Sequence, residues 1–169
     1  LAQIKKFKIF IHQNNFLKKE NLKIKSIEIS ESNFFIENSD VAFFNNFFLN
    51  DNFNKPIKIK KSNIFYQDNN KKTISLLTLG SGDIYKDYSN NQILVKTNGK
   101  IFNVPFNFSW KKDVNKREIN TYFKLKKIRL DIKNFSKSIS ETKIQKNLQL
   151  KYNKSKYNVK YKKEAGNII

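Results

Sequence analysis

The chain has no cysteine and no methionine, and among its 169 residues there is one histidine. Without cysteine it has no disulfide, no thiolate nucleophile and no zinc-thiolate site, and the redox compartment stays undetermined. The lone imidazole, His12, sits at the end of an apolar-alternating stretch with no Ser, Asp or Glu at a useful spacing, which reads as a surface residue. Acidic residues are scarce, 14 against 34 basic ones. Asp83 and Asp87 read as turn residues, because calcium needs several oxygens converging from one loop. Gly80-Ser81-Gly82 lacks the rest of any phosphate-binding fingerprint. The Asn-x-Ser matches at Asn107, Asn134 and Asn153 are what chance gives in so asparagine-rich a chain. No catalytic residue, metal ligand or cofactor is predicted, and the chain reads as non-enzymatic. Methionine is missing even at position 1, where the chain opens Leu1-Ala2-Gln3, so we expect a piece of a longer polypeptide. A missing signal or anchor then says nothing about the parent. No run is long and apolar enough to cross a bilayer.

What is present suits one folded segment. A hydrophobic fraction of 38% over 169 residues supports a core. The net charge of +20 points to an anionic partner: nucleic acid, phospholipid headgroups or lipopolysaccharide. Lys, Asn, Ile, Phe and Tyr are also what an A/T-rich genome favours, so charge alone names no partner.

The strongest local pattern runs from Gln92 to Trp110. Asn98-Gly99 is a two-residue hairpin signal, since both central residues of a type I′ turn need positive φ. Counting outward predicts Thr97 facing Lys100, Val95 facing Phe102 and Ile93 facing Val104. Beyond the turn, Phe102, Val104, Phe106, Phe108 and Trp110 alternate with Asn103, Pro105, Asn107 and Ser109. One face is apolar and the other polar.

The rest reads as strands of the same kind. Ile4 to Ile11 is a strand, Asn14 to Asn21 a loop, and a parity shift after Ile24 marks a bulge or turn. Ile27 to Glu37 is echoed by Ile57 to Gln67 in the form Ile-x-Ile-x-x-Ser-Asn-x-Phe, a repeated strand, kink, strand unit. Between the copies, Ser39-Asp40 caps a short helix presenting Phe43, Phe44, Phe47 and Phe48, or the segment is an irregular apolar strap. Asp68 to Lys72 is a turn, Thr73 to Leu79 a strand, and Gly80 to Asp83 a flexible corner. Ile119 to Leu125 and Ile128 to Ile132 form one long strand bulged near Lys126-Lys127. Leu148, Leu150 and Tyr152 answer Tyr157, Val159 and Tyr161 across a turn near Lys154-Ser155.

The fold class is therefore all-β, an antiparallel meander with at most one short helix. Each large apolar side chain taken from water contributes roughly 1.5 to 3 kcal/mol, so the apolar face must be covered. Either a second sheet packs on it as a β-sandwich, or the sheet curls into a trough, a half-barrel, whose filling is another molecule. The candidate lining is Ile93, Val95, Phe102, Val104, Phe106, Phe108, Trp110, Phe123 and Leu125.

The Ile-x-Ile-x-x-Ser-Asn repeat, the arm Gly99 to Phe106 and the strand Lys124 to Asn134 resemble segments of large AsmA-like proteins of A/T-rich bacteria, over Leu22 to Asn134. That family is similar to TamB and to bridge-like lipid-transfer proteins. The resemblance implies a trough, with an inner-membrane anchor outside this segment and a long bent sheet in the periplasm. It implies acyl chains of phospholipid or another anionic lipid as cargo, a role in lipid transport or outer-membrane biogenesis, and the rest of a parent chain as neighbour. The whole of 1–169 would be one β-rich segment of that larger groove. A basic sheet binding single-stranded nucleic acid is the rival, but it needs aromatics and Lys on one face. Here Lys151, Lys160 and Lys162 lie opposite Tyr152, Tyr157 and Tyr161, which weighs against nucleic acid. A purely structural envelope role is the third reading.

Overall fold

A computed structural model describes residues 2–12, 23–49, 55–140, 142–164 and 167–168. The loop expected at Asn14 to Asn21 lies outside them. In chain order the elements are β1 (Ala2–Gln3), β2 (Lys6–Ile11), β3 (Ile24–Ser30), β4 (Asn33–Ile36), α1 (Asn38–Leu49), β5 (Ile57–Gln67), β6 (Thr73–Asp87) and β7 (Gln92–Ile101). They continue as β8 (Val104–Asp113), β9 (Glu118–Leu125), β10 (Leu130–Ser138), β11 (Lys143–Tyr152), β12 (Ser155–Glu164) and β13 (Asn167–Ile168). All thirteen strands join one open sheet that runs as a meander from β5 to β13. Among the described residues, every substantial contact between elements joins sheet neighbours, and α1 takes part in none of them. The fold is therefore a single curved layer, and no sandwich forms among the described residues.

The echoed units are where the meander breaks. β3 and β4 both pair with β5 in parallel, with Ile27 on Ile57, Ile29 on Ile59, Asn33 on Asn63 and Phe35 on Phe65. Parallel neighbours need a crossover, and α1 lies in it. Asp40 caps α1 by reaching back from its first turn, its Oδ2 accepting the Glu37 N–H at 2.9 Å, so the helix starts at Asn38, just ahead of the expected Ser39-Asp40. Phe43 is exposed, and the side chains of Phe44, Phe47 and Phe48 lie outside the described set.

The repeated motif encodes a bulge. Glu31 and Lys61 occupy the left-handed region at φ 54° and 45°, and each inserts one extra residue into its strand. The serine that follows repairs the ladder: Ser32 Oγ donates to Ser30 O at 3.0 Å, and Ser62 Oγ donates to Lys60 O at 2.8 Å. Ser62 Oγ also accepts the Ser32 N–H at 3.1 Å. One residue on, Asn63 Nδ2 donates to Asn33 Oδ1 at 3.0 Å, and the Phe35 and Phe65 rings stack at 5.1 Å. The insertions line up across the sheet. Lys61 lies level with Gly80, the bulged residue of β6, and on the other side the gap between β1 and β2 faces Glu31 and Ser32. A crease thus crosses the first four strand positions and meets β7 at Gly99.

This crease corrects two expectations. Gly80-Ser81-Gly82 is no corner; it lies within a continuous fifteen-residue β6. Asn98-Gly99 is not a turn but part of β7, paired with Asn107 and Phe106. The turn falls at Phe102-Asn103, both at positive φ (47° and 62°), so Ile101 faces Val104, Thr97 faces Phe108 and Val95 faces Trp110. A turn at Asn98-Gly99 would leave β8 without β7 partners beyond Pro105, whereas the observed register pairs all of β7 with all of β8. Glycine is needed at 99 for proximity: a Cβ there would stand 2.1 Å from Thr78 O. Pro105 costs nothing, because it pairs one step out from the turn and β9 reaches only as far as Phe106.

The parity change after Leu125 also differs from expectation. It is a turn at 126–129 separating β9 from β10, in place of a bulge near Lys126-Lys127. With so few glycines, such turns place Lys71, Asn91, Arg117, Arg129 and Asn153 in the left-handed region.

Two substitutions test this register against the Asn98-Gly99 hairpin. Gly99→Ala should destabilise the protein by roughly 3 kcal/mol or more in urea unfolding, because the methyl meets backbone that cannot retreat. Phe102→Asn should stabilise it by about 1 kcal/mol, since Asn tolerates the left-handed conformation and Phe does not. A hairpin at Asn98-Gly99 gives neither result at these positions.

Candidate functional site

Cross-strand partners share a face, so the registers assign every side chain. Ile93 and Val95 of β7, Val104, Phe106, Phe108 and Trp110 of β8, and Phe123 and Leu125 of β9 stand on one side of the sheet. Eight of the nine expected lining residues are therefore together. Phe102 is the exception: it sits in the turn, 71% exposed, because its left-handed backbone removes it from the alternation. The same side continues through Leu130 and Ile132, Leu148 and Leu150, and Tyr157 and Val159, and in the other direction through Leu77, Ile59, Ile29 and Phe7.

Burial on this face falls from the centre outward. Ile93 is fully buried and Phe106 is 4% exposed, with the Phe123 ring 5.6 Å from it, whereas Tyr157 is 61% and Phe7 54% exposed. Among the described residues, neighbours on the same side supply this shielding, with Lys86 and Lys112 flanking Ile93 and Gly99 and Leu125 flanking Phe106. The result is an apolar trough with open ends.

One rim of the trough is charged. Lys86 and Lys112 face Ile93 from either side, and Lys146 and Lys163 follow on β11 and β12, all on the apolar face toward the edge that carries the turns at 88–91 and 114–117. Lys146 lies 5.7 Å over the Tyr161 ring. The opposite rim ends in Ile101, Val104, Leu125, Leu130 and Tyr152. The trough is amphipathic across its width, a feature missed in the sequence because each lysine sits in phase with the apolar residues.

The other face is polar, with exceptions. Lys151, Lys160 and Lys162 do stand opposite Tyr152, Tyr157 and Tyr161, or nearly so, on β11 and β12. On β9 and β10 the separation fails, since Tyr122 and Phe135 share the lysine side and Lys133 lies 5.6 Å over the Tyr122 ring.

The carboxylates serve turns and strand pairs. Asp87 accepts from the Ser89 hydroxyl (2.6 Å), the Asn90 amide (2.8 Å) and both backbone N–H groups, which hold its pKa down at about 2. Asp113, buried, is lowered by the Lys116 N–H at 3.0 Å and by Gln92 at 2.8 Å. Glu28 and Glu31 are lowered by their bonds to Lys60 and Lys6. Among the described residues no group of three His, Cys, Asp or Glu could hold a metal ion, and no helix is long and apolar enough to cross a membrane. The backbone N–H of His12 donates to Lys23 O at 3.1 Å.

Because the folded pKa of Asp87 lies below its ordinary value of 3.8, its contribution to stability is present above about pH 4 and is lost as pH falls through about 2. Urea midpoints measured from pH 5 to pH 2 should fall less steeply for Asp87→Asn than for the unaltered protein, and the two should converge at the acid end.

No family model, curated protein or solved structure matches this chain.

Proposed function

We propose that the trough shields lipid acyl chains, and that the chain is a segment of an AsmA-like envelope protein working in phospholipid transport or outer-membrane biogenesis. The observation that carries this reading is a one-layer sheet whose apolar face has no cover among the described residues and is edged on one side by lysines. An acyl chain laid against Phe106, Phe108, Trp110 and Phe123 loses its contact with water, and so do those side chains. Its phosphate headgroup then meets Lys86, Lys112 or Lys146 at the charged rim. The polarity across the trough matches the polarity along a lipid. At roughly 4.8 Å per strand, the ten full strand positions give a path of about 50 Å.

In this reading the segment stands in the periplasm, tied to the inner membrane by a part of the parent chain outside it, and performs no catalysis. The residues assigned to the lining are Ile93, Val95, Val104, Phe106, Phe108, Trp110, Phe123 and Leu125.

Purified protein should carry phospholipid that solvent extraction and mass spectrometry detect. Val159→Glu, which puts a charge at an exposed point of the lining, should lower the bound amount at least threefold, whereas Asn158→Glu on the other face should leave it within a third. Lys146→Glu should reduce uptake of fluorescent phosphatidylglycerol more than of phosphatidylcholine. Protein free of lipid that also fails to take up the fluorescent probe would remove the transport role and leave a structural one.

A further inference from the structure

We propose that the polar face holds a binding site for a phosphate ester with a hydroxylated body, seated on the lysines around the β11–β12 turn. The site lies across the sheet from the apolar lining and does not rest on the lipid reading. Lys151 and Lys156 are direct cross-strand partners. The turn closes on the pair Tyr152 and Ser155, so the next pair out is the non-hydrogen-bonded kind, in which side chains approach most closely. Like charges placed so are destabilising, and an anion between them reverses the sign.

Lysine on an exposed edge strand also discourages strand addition, but that task needs only scattered charge. Lys160 and Lys162 serve it, each facing an amide, Asn147 and Gln145. Lys156 alone of the three faces another lysine.

A hollow of about 360 Å³ opens at this pair, lined by Asp131, Lys133, Gln149, Lys151, Lys154 and Lys156. Its one carboxylate, Asp131, already has Lys124 at 3.8 Å. Lys151, Lys154 and Lys156 form no ion pair among the described residues. A second hollow of about 470 Å³ adjoins the first at Lys133 and Gln149 and adds Tyr122, Phe135, Asn120 and Asn147, with Lys111 at its far side. The Asn147 Oδ1 there has no hydrogen-bond donor among the described residues. Cations gather at one end, and ring faces with side-chain amides at the other. A phosphate fits the first, and a body bearing hydroxyls fits the second. Such an ester comes either from a soluble sugar-like phosphate or from a glycerophospholipid headgroup at a bilayer.

The test is calorimetric titration of the full chain with glycerol 3-phosphate, with glycerol, and with vesicles of phosphatidylglycerol in phosphatidylcholine, at constant ionic strength. Saturable binding of the phosphate ester and none of glycerol is expected. Lys151→Gln with Lys156→Gln should weaken it tenfold or more and raise the ligand-free Tm. Lys160→Gln with Lys162→Gln, which removes equal charge from the same region, should change it less than twofold. Lys151→Arg with Lys156→Arg should restore it. The same ranking of variants with vesicles assigns the headgroup source, and ranking seen only with the soluble ester assigns the soluble one. Absence of saturation, equal loss in the control pair, or a Gln pair that fails to fold overturns the proposal. Tighter binding of oligothymidylate than of the ester also overturns it, in favour of a nucleic-acid face.

Discussion

Only Leu79, Ile93, Phe106 and Leu125 are buried apolar residues among those described, far too few to hold a chain of this length by hydrophobic burial alone. What carries the fold is the hydrogen-bonded ladder, and its continuity is the constraint to which other features answer. A bulge in one strand ordinarily orphans a donor or an acceptor on its neighbour. Here the extra residues at Glu31, Lys61 and Gly80 stand level, and the hydroxyls of Ser32 and Ser62 take up the carbonyls of Ser30 and Lys60. Thr97 does the same at β7, its hydroxyl donating to Ser81 O at 2.9 Å. The crease therefore bends the sheet without breaking it. Full burial of Ser62, a polar residue, within an otherwise thin structure follows from this role.

The crease also explains which parts of the fold were legible in the sequence. Alternation located the strands and their apolar face, because a sheet with one wet side leaves a period of two wherever the ladder is regular. The echo of Ile27 to Glu37 in Ile57 to Gln67 was equally visible. Its parallel stacking was not, because pattern marks a strand without telling its direction. Turn chemistry misled at Asn98-Gly99. Glycine carries two freedoms, positive φ and the missing Cβ, and a dipeptide rule counts only the first. At position 99 the second decides, since Thr78 O occupies the place of the Cβ. With glycine used there, the positive φ of the turn fell on Phe102 and Asn103, types that give no such signal together. The same scarcity hid the turn at 126–129, where Arg129 takes the left-handed place.

The candidate site was legible in its lining and not in its rim. Eight lining residues follow from parity alone, since once the strand is right the face is right. Lys86, Lys112 and Lys146 occupy the same parity, and in sequence they read as interruptions of the apolar pattern. Only the register shows that they fall along the same edge of the sheet, on β6, β8 and β11, so that three local exceptions make one charged edge. Tyr122 and Phe135 were lost for the mirror reason. They are aromatic residues on the polar parity, and an alternation reading assigns them no place.

These two kinds of exception divide the sheet by function. A lysine in phase with the apolar residues keeps its stem on the trough and its ammonium at the rim, which suits a ligand that is itself apolar at one end and charged at the other. A lysine out of phase stands among amides and the occasional ring, where nothing apolar can be hidden. The two faces therefore select ligands differently even though both are cationic, and net charge alone treats them as one. Burial follows the same division. Phe106 is buried at the centre of the apolar face, while on the polar face a hollow opens between Lys133, Gln149 and Lys151.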